Sequence, residues 1–102
     1  MLFLVYFEFD PSIGPADLID AFQKIQEANI EAEKWKTKSW YVTPEYWGIA
    51  VVETDSAVDI AQNANSWRVA LPGIFKTYNI APALDVESYI PIGAKLVRKI
   101  KK

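Results

Sequence analysis

The sequence predicts an α+β fold, a ferredoxin-like βαββαβ unit with one antiparallel four-stranded sheet. Three observations predict it. Strand-like and helix-like apolar patterns follow one another in the order strand, helix, strand, strand, helix, strand between Leu2 and Ala81. Clusters of Pro, Gly, Asp and Ser separate most of them. The first strand is apolar on both faces, so the sheet needs cover on both sides. That last point predicts a homodimer joined through its sheet faces.

Leu2 to Phe9 reads as the first strand, with Phe3, Val5, Phe7 and Phe9 on one side and Leu4, Tyr6 and Glu8 on the other. Asp10-Pro11-Ser12-Ile13-Gly14-Pro15 ends it, and Pro15 suits the first turn of a helix, where its missing N–H has no cost. Leu18, Ile19, Phe22 and Ile25 recur at helical spacing, and the helix is expected to end between Asn29 and Ala32. Trp35 to Thr43 and Tyr46 to Thr54 read as a hairpin around a turn with Pro44 at its second position. Trp35, Thr37 and Ser39 are expected to share one face there, and Gly48 signals a bulge or the close approach of another group.

Asp55 and Ser56 supply the N-cap of a second helix, whose buried stripe is predicted as Ala57, Ile60, Ala61, Ala64, Trp67 and Leu71. Pro72-Gly73 stops it. Ile74 to Ala81 is the last strand, with Ile74, Tyr78 and Ile80 on one side and Phe75, Thr77 and Asn79 on the other. The pattern divides the chain into a domain at 1–85 and a tail at 86–102. In the tail, Asp85 and Ser88 cap a short turn, and Ile92 to Lys102 forms a basic amphipathic helix with Ile92, Leu96 and Ile100 in line.

Four Trp, five Tyr and five Phe in 102 residues are more large rings than a core of this size hides. Some are therefore expected in a pocket or an interface. Lys95, Arg98, Lys99, Lys101 and Lys102 give residues 95–102 five positive charges, and residues 1–94 hold six basic and thirteen acidic residues, a net of −7. An acidic body argues against nucleic acid as partner. The basic tail is open to an acidic partner, to its own body or to a second subunit.

With no Cys there is no thiolate nucleophile, disulfide or cysteine zinc site, and with no His there is no Ser-His-Asp triad and no histidine-ligated haem. No cofactor and no metal is expected. The absence of Cys suits a cytoplasmic protein, the apolar run at Leu2 to Phe7 lacks the length and basic flank of a signal peptide, and no membrane span is expected.

Met1-Leu2-Phe3-Leu4-Val5, Ser39-Trp40, Val52-Glu53-Thr54-Asp55-Ser56, Asn65-Ser66-Trp67 and Ile80-Ala81-Pro82-Ala83-Leu84 together resemble domain of unknown function family 3303, over residues 1 to about 85. That family looks like a branch of the dimeric α+β barrel superfamily. The resemblance implies two four-stranded sheets packed face to face, with helices outside. It implies no activity, because members of the superfamily include monooxygenases, haem-degrading enzymes, isomerases, dismutases and ligand sensors. The haem-degrading pattern requires a His, which this chain lacks.

Two functional readings remain. One is a small-ligand-binding or interaction module, with Trp40, Tyr41, Thr77, Tyr78 and Asn79 as ligand-binding candidates, since rings shape an apolar pocket and a few polar groups orient its occupant. The other is a cofactor-independent enzyme acting on an apolar aromatic or quinone-like substrate. It would use Trp40, Tyr78 and Asn79 as its pocket and Glu8 as general base, desolvation raising the pKa of a buried carboxyl. Both aromatic packing at a dimer interface and a solvated Glu8 at the strand end explain the same residues. Glu53-Thr54-Asp55 fits helix capping better than metal binding.

Overall fold

The computed structural model describes residues 1–28 and 35–101. The elements run β1 (Leu2–Phe9), α1 (Pro15–Ala28), β2 (Lys36–Val42), β3 (Trp47–Glu53), α2 (Ala57–Ala70), β4 (Phe75–Pro82) and α3 (Val86–Ile100). The strands form one antiparallel sheet in the order β2-β3-β1-β4, the ferredoxin-like topology the pattern predicts. The predicted end of the first helix lies outside the described residues.

Register assigns each side chain to a face. One face carries the rows Trp40–Ala50–Val5–Ile80 and Val42–Gly48–Phe7–Tyr78. It holds the core cluster of Val5, Phe7, Ala50 and Val52, with Phe3, Phe9, Trp35, Phe75, Tyr78 and Ile80 packed around it. The opposite face carries Ser39–Val51–Leu4–Ala81, Tyr41–Ile49–Tyr6–Asn79 and Trp47–Glu8–Thr77. Leu4, Tyr6 and Ile49 are 51%, 36% and 45% exposed there. This second face is apolar at its centre, and among the described residues no helix covers it.

Two irregularities move residues from their expected sides. The β2–β3 register shifts between Thr37 and Ser39, so Lys38 is the extra residue and Ser39 turns to the open face while Trp40 turns to the core face. A second shift lies opposite Glu8 and Phe9, where Lys76 is extra, and this brings Phe75 to the same face as Tyr78. Phe75 packs 4.9 Å from the Tyr78 ring and 6.1 Å from Phe9. Strict alternation fails at both places because a bulge inserts one residue into the period.

Gly48 marks a close approach, as its place in the strand suggests. A Cβ there would collide with the Phe7 ring and with the Tyr41 carbonyl oxygen. The hairpin closes through Thr43 N–H to the Trp47 carbonyl (2.8 Å), with Tyr46 at φ 66°. The Tyr46 hydroxyl donates to the Ile13 carbonyl at 2.9 Å, which ties this turn to the loop before α1.

Ser56 caps α2, its hydroxyl accepting the Asp59 N–H at 3.2 Å. The buried stripe is rotated from the predicted one: Asp59 and Ala64 are buried, with Ile60, Asn63 and Trp67 half-buried, whereas Ala57 and Ala61 face solvent. Ile74 precedes β4 and is wholly buried. Its N–H donates to the Leu71 carbonyl, and its carbonyl accepts the Asp10 N–H at 2.8 Å.

The last helix starts at Val86, six residues before the predicted start at Ile92. The Asp85 carboxylate accepts the Ser88 N–H at 2.7 Å and secures a first turn that continues through Pro91. No residue of α3 is buried. The radius of gyration is 16.9 Å, against about 13 Å for a compact chain of this length.

Gly48→Ala is expected to lower unfolding free energy by about 1–3 kcal/mol, because the backbone carbonyl on one side cannot yield. Urea denaturation followed by tryptophan fluorescence checks this.

Candidate functional site

A cavity of about 70 Å³ lies between α2 and the covered face of the sheet. β1 supplies Val5, Phe7 and Phe9 to its wall, β3 supplies Ala50 and Val52, and β4 supplies Phe75 and Tyr78. Trp35, Thr37 and Trp40 come from β2 and its approach, and Asn63 and Trp67 from α2. The volume is that of about two water molecules, and a pocket that holds benzene measures about 150 Å³.

Three rings stand at the outer side of the cavity. Phe22, Trp40 and Trp67 lie with centroids 5.9–6.2 Å apart, Trp40 meeting Trp67 edge-on at 72°. Trp40 and Trp67 also line a wide groove between α1 and β2, which carries Leu18, Ile19, Phe22 and Val42. Both indoles thus stand between the cavity and this groove. Trp40 is 47% exposed, so its side chain has room to move.

The polar groups of the cavity are few. The Tyr78 hydroxyl donates to Asn63 Oδ1 across 3.5 Å, a long bond that leaves room for a better partner. Burial pushes the Tyr78 phenol above its ordinary value, and the Arg68 guanidinium, 5.4 Å from the ring centroid, opposes that push. Trp35 Nε1 donates to Thr37 Oγ1 at 3.0 Å. One helical turn before Asn63, Asp59 is buried, and its Oδ2 has no hydrogen-bond partner among the described residues. Asn63 and Asp59 do not stand out in the sequence as site residues. The signal was phase: Asn63 is four residues before Trp67 and Asp59 eight, so both share its side of the helix.

The structure divides the residues expected to form one pocket. Trp40 and Tyr78 line the cavity. Tyr41, Thr77 and Asn79 sit on the open face, across the sheet from it. Glu8 is on the open face too, where its carboxylate accepts the Tyr6 hydroxyl at 2.9 Å and lies 3.9 Å from Lys76 Nζ. The first of these contacts pushes the Tyr6 phenol above its ordinary value. In this arrangement Glu8 does not reach the space beside Trp40 and Tyr78.

Among the described residues no group of three His, Cys, Asp or Glu side chains is placed to hold a metal ion. No helix among them is long and apolar enough to cross a membrane.

Residues 1–97 match the family described as Domain of unknown function (DUF3303). The chain belongs to this family. The match extends past residue 85, where the sequence resemblance ends, and takes in most of α3 of this DUF3303 protein. No curated protein matches the chain.

Tyr78 gives a pH prediction. Its folded pKa lies above the unfolded value, so the stability it contributes is fully present below about pH 10 and is lost as pH rises through the folded pKa. Unfolding free energy is therefore expected to fall as pH rises above about 10, and Tyr78→Phe to flatten that fall. Ultraviolet titration of the phenols should show one late-titrating group fewer in the variant, the Tyr6 phenol remaining.

Proposed function

We propose that this protein is a homodimeric small-ligand-binding module of the dimeric α+β barrel type, joined through its open sheet faces. The ligand is a small, flat, largely apolar molecule with one hydroxyl or carbonyl group. The cavity between α2 and the sheet carries this reading: its wall is almost wholly aromatic and aliphatic, and one amide–phenol pair, Asn63 and Tyr78, marks a polar end. A benzene-sized ring needs about twice the present volume. A shift of the Trp40 or Trp67 indole, both of which line the cavity, supplies the rest.

The dimer rests on the uncovered sheet face and on surface area. The chain exposes 7502 Å², where a compact monomer of its mass exposes about 5,800 Å². The difference is enough for a stable interface, which takes about 800 Å² from each partner. The enzyme reading with Glu8 as base has weaker support, since that carboxylate and Asn79 lie across the sheet from the cavity.

Titration with phenol, followed by the indole N–H signals of the four tryptophans, tests the ligand reading. Phenol is expected to shift Trp40 and Trp67, and to bind about 5–10-fold tighter than toluene by virtue of one hydrogen bond. Asn63→Leu should remove that preference while leaving toluene binding in place. Shifts confined to Trp47 on the open face, or no preference for phenol, would contradict the reading.

A further inference from the structure

We infer that α3 is an exchanged arm: the α3 of one copy lies in the groove between α1 and β2 of a second copy and roofs the Phe22–Trp40–Trp67 cluster. This rests on the self-association proposed above and adds a second contact to it.

The first ground is the state of α3 in its own chain. It is fifteen residues long with none buried, and an isolated helix of that length is marginal in water. It carries Pro91 and Gly93 in its interior, about 3 and 1 kcal/mol less favourable than Ala at such positions. Yet Val86, Tyr89, Leu96 and Ile100 form a continuous apolar stripe with Gly93 at its middle, and each is about half exposed or more. A helix of this composition acquires its stability from a surface laid along that stripe.

The groove is such a surface. It runs beside α1, a helix of fourteen residues and therefore about 21 Å long, against about 22 Å for α3. Ile19, Phe22, Trp40, Tyr41 and Val42 line it and are exposed in the single chain. Charge agrees with the pairing. Outside the groove α1 carries Asp17, Asp20 and Glu27 with only Lys24 among them, and α3 carries Lys95, Arg98 and Lys99 beside its apolar stripe.

The root of the chain's own α3 stands at the opposite edge of the sheet from this groove. β4 and β2 are the two edges of the sheet, separated by three strand spacings or about 14 Å. Ala83 is still held to the sheet by its N–H bond to the Leu2 carbonyl at 2.8 Å. From Ala83 to Val86 the chain spans at most about 11 Å. A second copy has no such restriction. When two sheets pack face to face about a twofold axis parallel to the strands, β4 of each copy lies over β2 of the other. The root of each arm then stands beside the partner's groove.

The test uses the full chain, which has no cysteine of its own. Lys99→Cys, on the polar side of α3, carries a nitroxide in unlabelled protein, and this is mixed with isotope-labelled wild-type chain. The result expected is loss of amide signal in the labelled copy along α1 and at Trp40, Tyr41 and Val42. Leu96→Glu in the nitroxide-bearing chain should restore it. A dimer whose signal loss falls elsewhere, on the open sheet face or on the partner's α3, would overturn the arm and leave the sheet-face dimer standing. A monomer without signal loss would overturn both. Loss along α1 and β2 of the nitroxide-bearing chain itself, read by isotope labelling that chain and diluting it with unlabelled wild type, would also overturn the exchange.

Discussion

Everything in this structure depends on β1, a central strand that is apolar on both faces where the described helices cover only one. Val5 and Phe7 are buried beneath α2, while Leu4 and Tyr6, one residue away, remain in solvent. Period-two alternation makes this unavoidable once the first face is chosen. The consequences run outward from it. The enclosed core is thin, the exposed area exceeds that of a compact monomer, and α3 leaves the body with its apolar stripe uncovered. Each feature is costly in a single chain and reasonable in an assembly of two.

The cavity follows from the same layer. Beneath α2 the sheet presents rings from three strands, and large planar groups of fixed shape do not fill space as branched aliphatic side chains do. The two bulges decide which rings take part. Without the extra residue at Lys38, Trp40 would face away from α2, and without the one at Lys76, Phe75 would leave the cluster around Tyr78. Both bulges lie on the edge strands, where a ladder tolerates interruption. α2 adds the polar end through Asn63, and the small side chain of Ala64 lets the helix approach.

Much of the fold was legible in the sequence, because its signals are local. Alternation in Leu2 to Phe9, the Pro15 helix start, the Ser56 cap and the Pro72-Gly73 stop each act within a few residues, and each element forms where they place it. Gly48 was readable for the same reason: a residue without a side chain in a ring-rich strand implies a neighbour in its place. The candidate site was legible only in part. Trp40 and Tyr78 reach the cavity, but a bulge is a matter of pairing between strands, and no residue pattern within β2 or β4 announces it. Asn63 and Asp59 are harder to read from sequence, because polar residues resemble the solvent side of a helix and only packing against the sheet turns them inward. The early start of α3 was hidden by Pro91, which suggests a boundary that the Asp85 cap overrides.

Sedimentation equilibrium of the full chain tests the central claim, that the second face of the sheet is covered by a second copy. Wild type is expected at twice the chain mass of 11.6 kDa, and Ile49→Lys, which places a charge at the centre of the open face, at or near the single-chain mass. A wild-type protein that stays monomeric at high concentration, or an Ile49→Lys variant that dimerises as well as wild type, would contradict it.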